Sequence, residues 1–358
     1  MARLPPETFR LPVERMREGY YTDQYFNLTR DLLELEGHRP RVLMQVFQKQ
    51  AAILGGVDEA IAVVKQCAGR HVDGGWEEGW GELEVRALHE GDEIAPRETV
   101  MTIEGDYGLF AHLETVYLGC MARRTLVMRN VKAVVEAAHG KPILFFPARH
   151  DHWLVQTGDG WAAHVAGAIG VSTDAQASWW GGRGVGTVPH ALIAAFGGDT
   201  VAAARLFAER YHGQTNITVL VDFENDSVRT ALEVADALGD RLWGVRLDTS
   251  EQLVDVALQG EPDPDRNRGV TALLTRRVRD ALDGAGHRQV RIVVSGGFDA
   301  EKIARFEAED APVDAYGVGS SLLRGQNDFT ADVVRVDGRP LAKAGREESP
   351  NPRLELVD

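Results

Sequence analysis

Two textures of apolar and polar positions divide the chain. Near the start, Gly81 to Leu88 (GELEVRAL) places Leu83, Val85 and Ala87 at every second position, the pattern of a half-buried strand. Thr99 to Glu104 (TVMTIE) reads as its partner, and Gly91-Asp92 between them suits a turn. Val57 to Cys67 carries apolar residues at helical spacing. The region up to about Leu118 is therefore expected to be an α+β module with an antiparallel, β-rich core. Thr115 to Ala138 then forms a long helical stretch with few breakers.

Beyond it, short apolar runs alternate with helical ones. The strand candidates are Pro142 to Pro147, Gly170 to Ser172, Val185 to Val188, Asn216 to Asp222, Leu242 to Asp248, Gln289 to Ser295 and Val313 to Gly319. Helices are expected between several of them, as at Val228 to Leu238 and Thr271 to Asp283. Apolar strands separated by helices make βα units around a parallel sheet. Seven in a row point to an α/β barrel or near-barrel rather than an open sheet, although periodicity alone leaves that choice open. The tail returns to β texture: Asp332 to Val336, an Asp337-Gly338 turn and the run from Arg339 read as a hairpin. The predicted layout is an N-terminal α+β domain over residues 1–118, completed by residues 325–358, and a barrel domain over residues 119–324.

Composition narrows the setting. The 358 residues carry a formal net charge of −15, which disfavours nucleic acid and anionic membranes as partners. An anionic substrate would need a local cluster of arginine, backbone N–H groups or metal. No run is apolar enough to span a bilayer, and residues 1–20 lack the apolar centre of a secretory signal. Cys67 and Cys120 are the only cysteines. Two isolated thiols make neither a disulfide framework nor a zinc knuckle and fit a reducing cytoplasm.

Polar residues recur at the C-terminal ends of the predicted strands, where a barrel gathers its active site. They are Phe146-Pro147-Ala148-Arg149-His150, Ser172-Thr173-Asp174, Gly186-Thr187-Val188-Pro189-His190, Asp222, Arg246-Leu247-Asp248, Ser295-Gly296-Gly297 and Gly317-Val318-Gly319-Ser320-Ser321. The last two are glycine-rich. Their backbone N–H groups could wrap a phosphate, a site that barrels often hold at the last two strand ends. One such loop could merely turn the chain; two in succession favour phosphate. Arg246 and Asp248 share a strand face and neighbour Asp222, so they could hold an anion, ribose hydroxyls or Mg²⁺. A buried structural ion pair fits the spacing equally well. His190, His150, His152 and His164 are not ranked by spacing, and His150 with His152 supplies only half of a zinc shell. No lysine stands at these ends to form a Schiff base. Trp76, Trp80, Trp179 and Trp180 suit packing.

At these residues the chain resembles the nicotinate phosphoribosyltransferases, with nicotinamide and quinolinate enzymes as relatives. YTDQYF from Tyr21, the stretch from Ala87 to Thr115, FFPARH, VSTDAQA, GTVPHAL, GVRLDTSE, VVSGGFD, YGVGSSL and VDGRPLAKAGR carry the resemblance. VRLD followed by SGG and GVG is its specific part. The resemblance implies an α/β sandwich-like domain joined to an incomplete barrel, working as a homodimer with shared sites. It implies transfer of phosphoribose from phosphoribosyl pyrophosphate to nicotinate, with Mg²⁺ and with ATP as co-substrate.

The same resemblance implies roles for single residues. Phe146 stacks on the pyridine ring, with Tyr25 of a partner copy on the other face. Arg149 holds the base's polar substituent or the ribose phosphate, and Thr173 and Asp174 add substrate contacts. Asp222 and Asp248 take ribose hydroxyls directly or through Mg²⁺, and Arg246 binds phosphate. Gly296, Gly297, Gly317, Gly319 and Ser320 cradle the 5-phosphate. His190 matches a histidine phosphorylated by ATP. Asp174 stands where the nicotinate branch has Ser or Asn, and an anion there suits the amide of nicotinamide better. Nicotinamide is therefore the alternative base. Quinolinate comes third, with Arg123, Arg124 and Arg129 as its extra cations. A non-catalytic sugar-phosphate-binding barrel is the rival of another class.

Overall fold

Six short strands form one curled, parallel sheet in the computed structural model, which describes residues 2–358. Their order is Thr218–Leu220, Gly244–Leu247, Arg291–Val294, Ala315–Val318, Ile143–Phe145 and Gly170–Val171. The register runs Leu220 opposite Arg246, Leu247 opposite Val294, Val294 opposite Tyr316 and Val318 opposite Phe145. Val219, Val245, Leu247, Ile292, Val294, Tyr316, Val318 and Phe145 are essentially inaccessible, because both faces of such a sheet are covered. These strands belong to a unit spanning Asn130–Arg324.

One of the seven predicted strands, Val185 to Val188, does not form. This segment makes single contacts with the two edges of the sheet instead. The Val185 N–H donates to the Val171 carbonyl at 2.7 Å, and the Val188 N–H donates to the Thr218 carbonyl at 2.8 Å. Glycines at 184 and 186 and a proline at 189 leave no run long enough for a ladder. The result is a half-barrel, bridged across its opening by one extended crossing.

Helix starts follow several strands, and side chains cap them. Asp226 accepts from the Arg229 N–H, Thr271 from Leu274 and Asp299 from Lys302. Thr173 and Gln176 form a reciprocal capping box. These caps set where each of these helices begins and so bound the loops that line the sheet's C-terminal end. The strands are shorter than the sequence suggested because the polar residues predicted at their ends lie in those loops.

The other unit comprises the chain up to Arg129 together with Gly325–Asp358. Its antiparallel sheet has the order Arg339–Pro340, Thr330–Val336, Arg41–Phe47, Thr99–Asp106, Glu84–Ala87, Glu355–Leu356. The tail thus contributes three of the six strands, one of them paired with Val42 through Phe47 of the strand Arg41–Phe47. The helix Val57–Cys67 joins Val42, Val46, Val85, Ile103 and Phe329 in the core of this unit. Where a strand was predicted to begin at Gly81, a 3-10 turn at Trp80–Glu82 precedes the strand Glu84–Ala87. No described helix is long and apolar enough to cross a membrane.

Candidate active site

A cavity of about 780 Å³ opens among the C-terminal ends of the parallel strands. Arg246, third residue of its strand, and Asp248, just beyond it, both face this cavity, while Val245 and Leu247 are fully buried. That is the two-residue period of a strand at work. The Arg246 guanidinium lies over the Phe146 ring, 5.2 Å from its centroid. Its Nε donates to Ser295 Oγ at 2.7 Å, Nη1 reaches Thr187 Oγ1 at 3.4 Å, and Nη2 stands 3.4 Å from Asp248 Oδ2. Ser295 Oγ also donates to Asp248 Oδ1 at 2.7 Å.

Gly296 and Gly297 have φ of +88° and +65°, a left-handed region that side chains avoid. A Cβ on Gly297 would collide with the Glu251 carboxylate, and one on Gly317 would come within 2.7 Å of the Phe146 ring. Gly317, Gly319 and Ser320, at the end of the neighbouring strand, line the same wall. Arg149 and His150 are on a 3-10 turn after the Ile143–Phe145 strand and also line the cavity. So does Arg324, directly after the turn Ser320–Leu323. Among the described residues, neither Arg149 nor Arg324 has an ion-pair partner. Three arginines against one carboxylate make this wall cationic within a chain of charge −15.

His190 reaches the cavity from the first turn of its helix, and its Nε2 is 2.9 Å from Asp222 Oδ1. The hydrogen bond to Asp222 raises the His190 pKa above its ordinary 6.5; burial opposes the rise and the Asp222 charge adds to it.

Three sequence expectations change on this geometry. Asp222 is not on the cavity wall; its side chain is buried against His190. Asp174 is exposed and also off this wall: its Oδ1 accepts the Gly184 N–H at 2.8 Å, and it borders a separate concavity with Arg183 and Tyr211. A carboxylate caps a loop N–H readily, a use that single-residue comparison cannot reveal. Thr173 does line the cavity, but its hydroxyl accepts from the Gln176 N–H and donates to Gln156 Oε1. Tyr25 belongs to the other unit and is 60% exposed. There too Arg124 pairs with Glu59 at 3.0 Å, and Arg129 donates to Gln50 and to the Gln326 carbonyl.

Sequence reasoning passed over Ser295, Thr187 and Arg324 as individual residues. Ser295 and Thr187 were legible only as strand-end positions, and Arg324 gave no signal at all. It also missed Lys302, which ties its Nζ to the Gly296 carbonyl at 3.0 Å behind the glycine loop; burial lowers its pKa. For Mg²⁺, no group of three or more His, Cys, Asp or Glu side chains is gathered among the described residues. Among the described residues Asp248 is the one carboxylate on the cavity wall, and one or two carboxylates with substrate phosphates and water are the usual Mg²⁺ shell, so Asp248 fits such an ion.

Comparison with known proteins places the chain. Residues 23–125 match the family described as quinolinate phosphoribosyl transferase, N-terminal domain. Nicotinate phosphoribosyltransferase pncB1 of Mycobacterium tuberculosis is 32% identical over 287 residues, covering 76% of this chain and 58% of that protein. The nicotinate phosphoribosyltransferase of Bacillus subtilis is 24% identical over 240 residues, covering 66% of this chain and 45% of its own length. The chain thus spans about half the length of these curated relatives. Among solved structures, the nicotinate-nucleotide pyrophosphorylase from Pyrococcus furiosus superposes with a TM-score of 0.80 at 32% identity, covering 97% of this chain and 85% of that one. Human nicotinic acid phosphoribosyltransferase shares the fold, with a TM-score of 0.66 at 19% identity over 92% of this chain and 77% of its own. The curled parallel half-barrel with a strand-end cavity is thus the architecture of the type II phosphoribosyltransferases. The chain belongs to this phosphoribosyltransferase family, which it shares with the Pyrococcus furiosus nicotinate-nucleotide pyrophosphorylase.

Proposed function

We propose that the protein is a pyridine-base phosphoribosyltransferase that makes nicotinate mononucleotide and pyrophosphate from nicotinate and phosphoribosyl pyrophosphate, a salvage step towards NAD. The observation that carries this reading is the cationic cavity at the strand ends, flanked by two glycine cradles, in a strongly acidic chain. The pyridine nitrogen donates its electron pair to ribose C1 as the C1–oxygen bond to pyrophosphate breaks. Gly296-Gly297 and Gly317 to Ser320 hold the 5-phosphate through backbone N–H groups. Phe146, with Arg246 over one face, offers its other face to the base and aligns the attacking nitrogen. Arg246 stabilises the charge that moves onto the leaving group. Asp248 orders the ribose hydroxyls and is the residue that would help hold Mg²⁺ brought with the pyrophosphate. When bound, Mg²⁺ neutralises pyrophosphate charge.

Nicotinate is favoured over nicotinamide because Asp174 points away from the cavity while Arg149 and Arg324 present unpaired guanidinium groups on its wall. Quinolinate is the second reading, supported by the family matched over residues 23–125 and by the presence of two such arginines for two carboxylates. The purified protein is incubated with phosphoribosyl pyrophosphate, Mg²⁺ and each base in turn, and mononucleotide is read by chromatography. Nicotinate is expected to be the best substrate; product from nicotinamide alone sinks the assignment. The homodimer reading rests on Tyr25, Leu28, Leu32 and Leu35, an exposed stripe on the helix Gln24–Leu35 that a second copy would cover. The two unpaired cysteines support a cytoplasmic setting.

ATP coupling is assigned to His190. Asp222 occupies Nε2, so Nδ1 is the nitrogen left to attack the γ-phosphorus of ATP, releasing ADP. Asp222 favours the protonated ring, and only the neutral ring is nucleophilic. Labelling by γ-labelled ATP should therefore rise with pH through a midpoint above 6.5. It should disappear in His190→Ala, and in Asp222→Asn its midpoint should move down. Labelling that persists without His190 would refute the assignment.

A further inference from the structure

Arg246 and Asp248 are the two charged groups on one strand that the proposed chemistry uses, yet their direct contact is long, 3.4 Å between Nη2 and Oδ2. The short contacts both run through a third residue. Ser295 Oγ accepts from Arg246 Nε at 2.7 Å and stands 2.7 Å from Asp248 Oδ1. A hydroxyl has one hydrogen, and the 2.7 Å approach to Asp248 outcompetes the 3.2 Å approach to the Leu247 carbonyl. The chain of donation is therefore Arg246 to Ser295 to Asp248.

Ser295 is itself held rigidly. Its N–H continues the parallel ladder to the Leu247 carbonyl at 2.9 Å, it is 3% exposed, and the left-handed Gly296 follows at once. Arg246, by contrast, has a long side chain whose other hydrogen-bond, ion-pair and ring contacts among the described residues are the Phe146 face and the 3.4 Å contacts with Thr187 and Asp248. Losing the hydroxyl would free the guanidinium to rotate and leave Asp248 without its short donor.

We propose that Ser295 is a positioning residue: it locks the Arg246 fork and the Asp248 carboxylate in one geometry, so that the leaving pyrophosphate and the ribose are gripped together. The inference rests on the phosphoribosyltransferase reading and deepens it. It assigns to the first residue of the Ser-Gly-Gly loop a task separate from the phosphate cradle formed by the two glycines.

The test is a double-mutant cycle in the full chain, with Ser295→Ala, Asp248→Ala and the double variant. The readouts are steady-state transfer to nicotinate and calorimetric binding of inorganic pyrophosphate. Ser295→Ala is expected to lower kcat/KM by about 30-fold and pyrophosphate affinity by roughly 10-fold, the usual scale for a lost hydrogen bond to a charged group. In the Asp248→Ala background the same substitution should cost less, about 5-fold, because the bond to Asp248 is already gone and only the hydrogen bond to Arg246 is left to lose. Ser295→Cys keeps the side chain's size with a weak donor and acceptor, and should lose about 10-fold with thermal stability unchanged. It carries the test if the alanine variant does not fold. Equal costs in both backgrounds, or a folded Ser295→Ala or Ser295→Cys matching wild type in both readouts, overturns the inference. A wild-type chain that turns over no pyridine base sinks the phosphoribosyltransferase reading instead. The pyrophosphate cycle still decides whether Ser295 couples Arg246 to Asp248.

Discussion

Replacing Arg246 by alanine is expected to lower kcat/KM for phosphoribosyl transfer about a thousandfold, roughly 4 kcal/mol of transition-state stabilisation. Three losses add in that one change. The cavity loses the arginine that stacks on Phe146, so the ring gains freedom just where the base must be aligned. Ser295 loses its donor and Asp248 its cation. The leaving group loses a fixed donor in a partly buried site, where one such group is commonly worth two to three powers of ten. Arg246→Lys keeps the charge but lacks the planar fork that meets Ser295 and Asp248 together. It should retain only about one hundredth of the activity. The fold should survive both changes, because Arg246 is held by polar contacts at the cavity wall and is no part of the apolar core. Steady-state kinetics with thermal melting as a control check this. An Arg246→Ala variant within about tenfold of wild type would mean that the leaving group is held elsewhere.

Removing residues 325–358 should abolish the fold of the unit to which they belong. The strand Thr330–Val336 pairs with nearly all of Arg41–Phe47, from Val42 opposite Val336 to Phe47 opposite Thr330. Phe329 and Val334 are buried, and Ala331, Val333, Val336, Leu354 and Val357 pack against the same core. At about 1.5–3 kcal/mol for each large apolar side chain fully buried, the loss reaches the whole stability of a typical domain, about 5–15 kcal/mol. It also turns Arg41–Phe47, six of whose seven residues are buried, into a bare edge. Amide exchange in the truncated chain should show Arg41–Phe47 and Thr99–Asp106 unprotected. Retained protection there would show that the tail strands are an addition to a self-sufficient sheet.

The fold was legible where pattern and chemistry are local. The helices at Val57–Cys67, Ser227–Leu238 and Ala272–Gly284 follow their apolar spacing and their caps to within a residue or so of expectation. Six of the seven predicted parallel strands form, each shorter than its predicted range because the polar residues at its end lie in the following loop. Val185 to Val188 failed because a strand needs neighbours along its length. Glycine and proline on either side cut this segment down to one contact per sheet edge.

The site divides along the same line. Sequence by itself determined the parallel α/β architecture, the cluster of polar residues at the strand ends, and the sharing of one strand face by Arg246 and Asp248. Each of these follows from a repeat of two or of 3.6 residues, which the chain carries in its own order. Only the tertiary structure decided that Asp222 serves His190 rather than the cavity wall, that Asp174 caps a loop instead of facing the base, and that Ser295 joins Arg246 to Asp248. Those outcomes depend on which loops meet at the end of a curled sheet and on which donor stands within 3 Å of a given oxygen. Residues 32, 10 and nearly 50 positions apart settle them, and spacing along the chain holds no record of such distances.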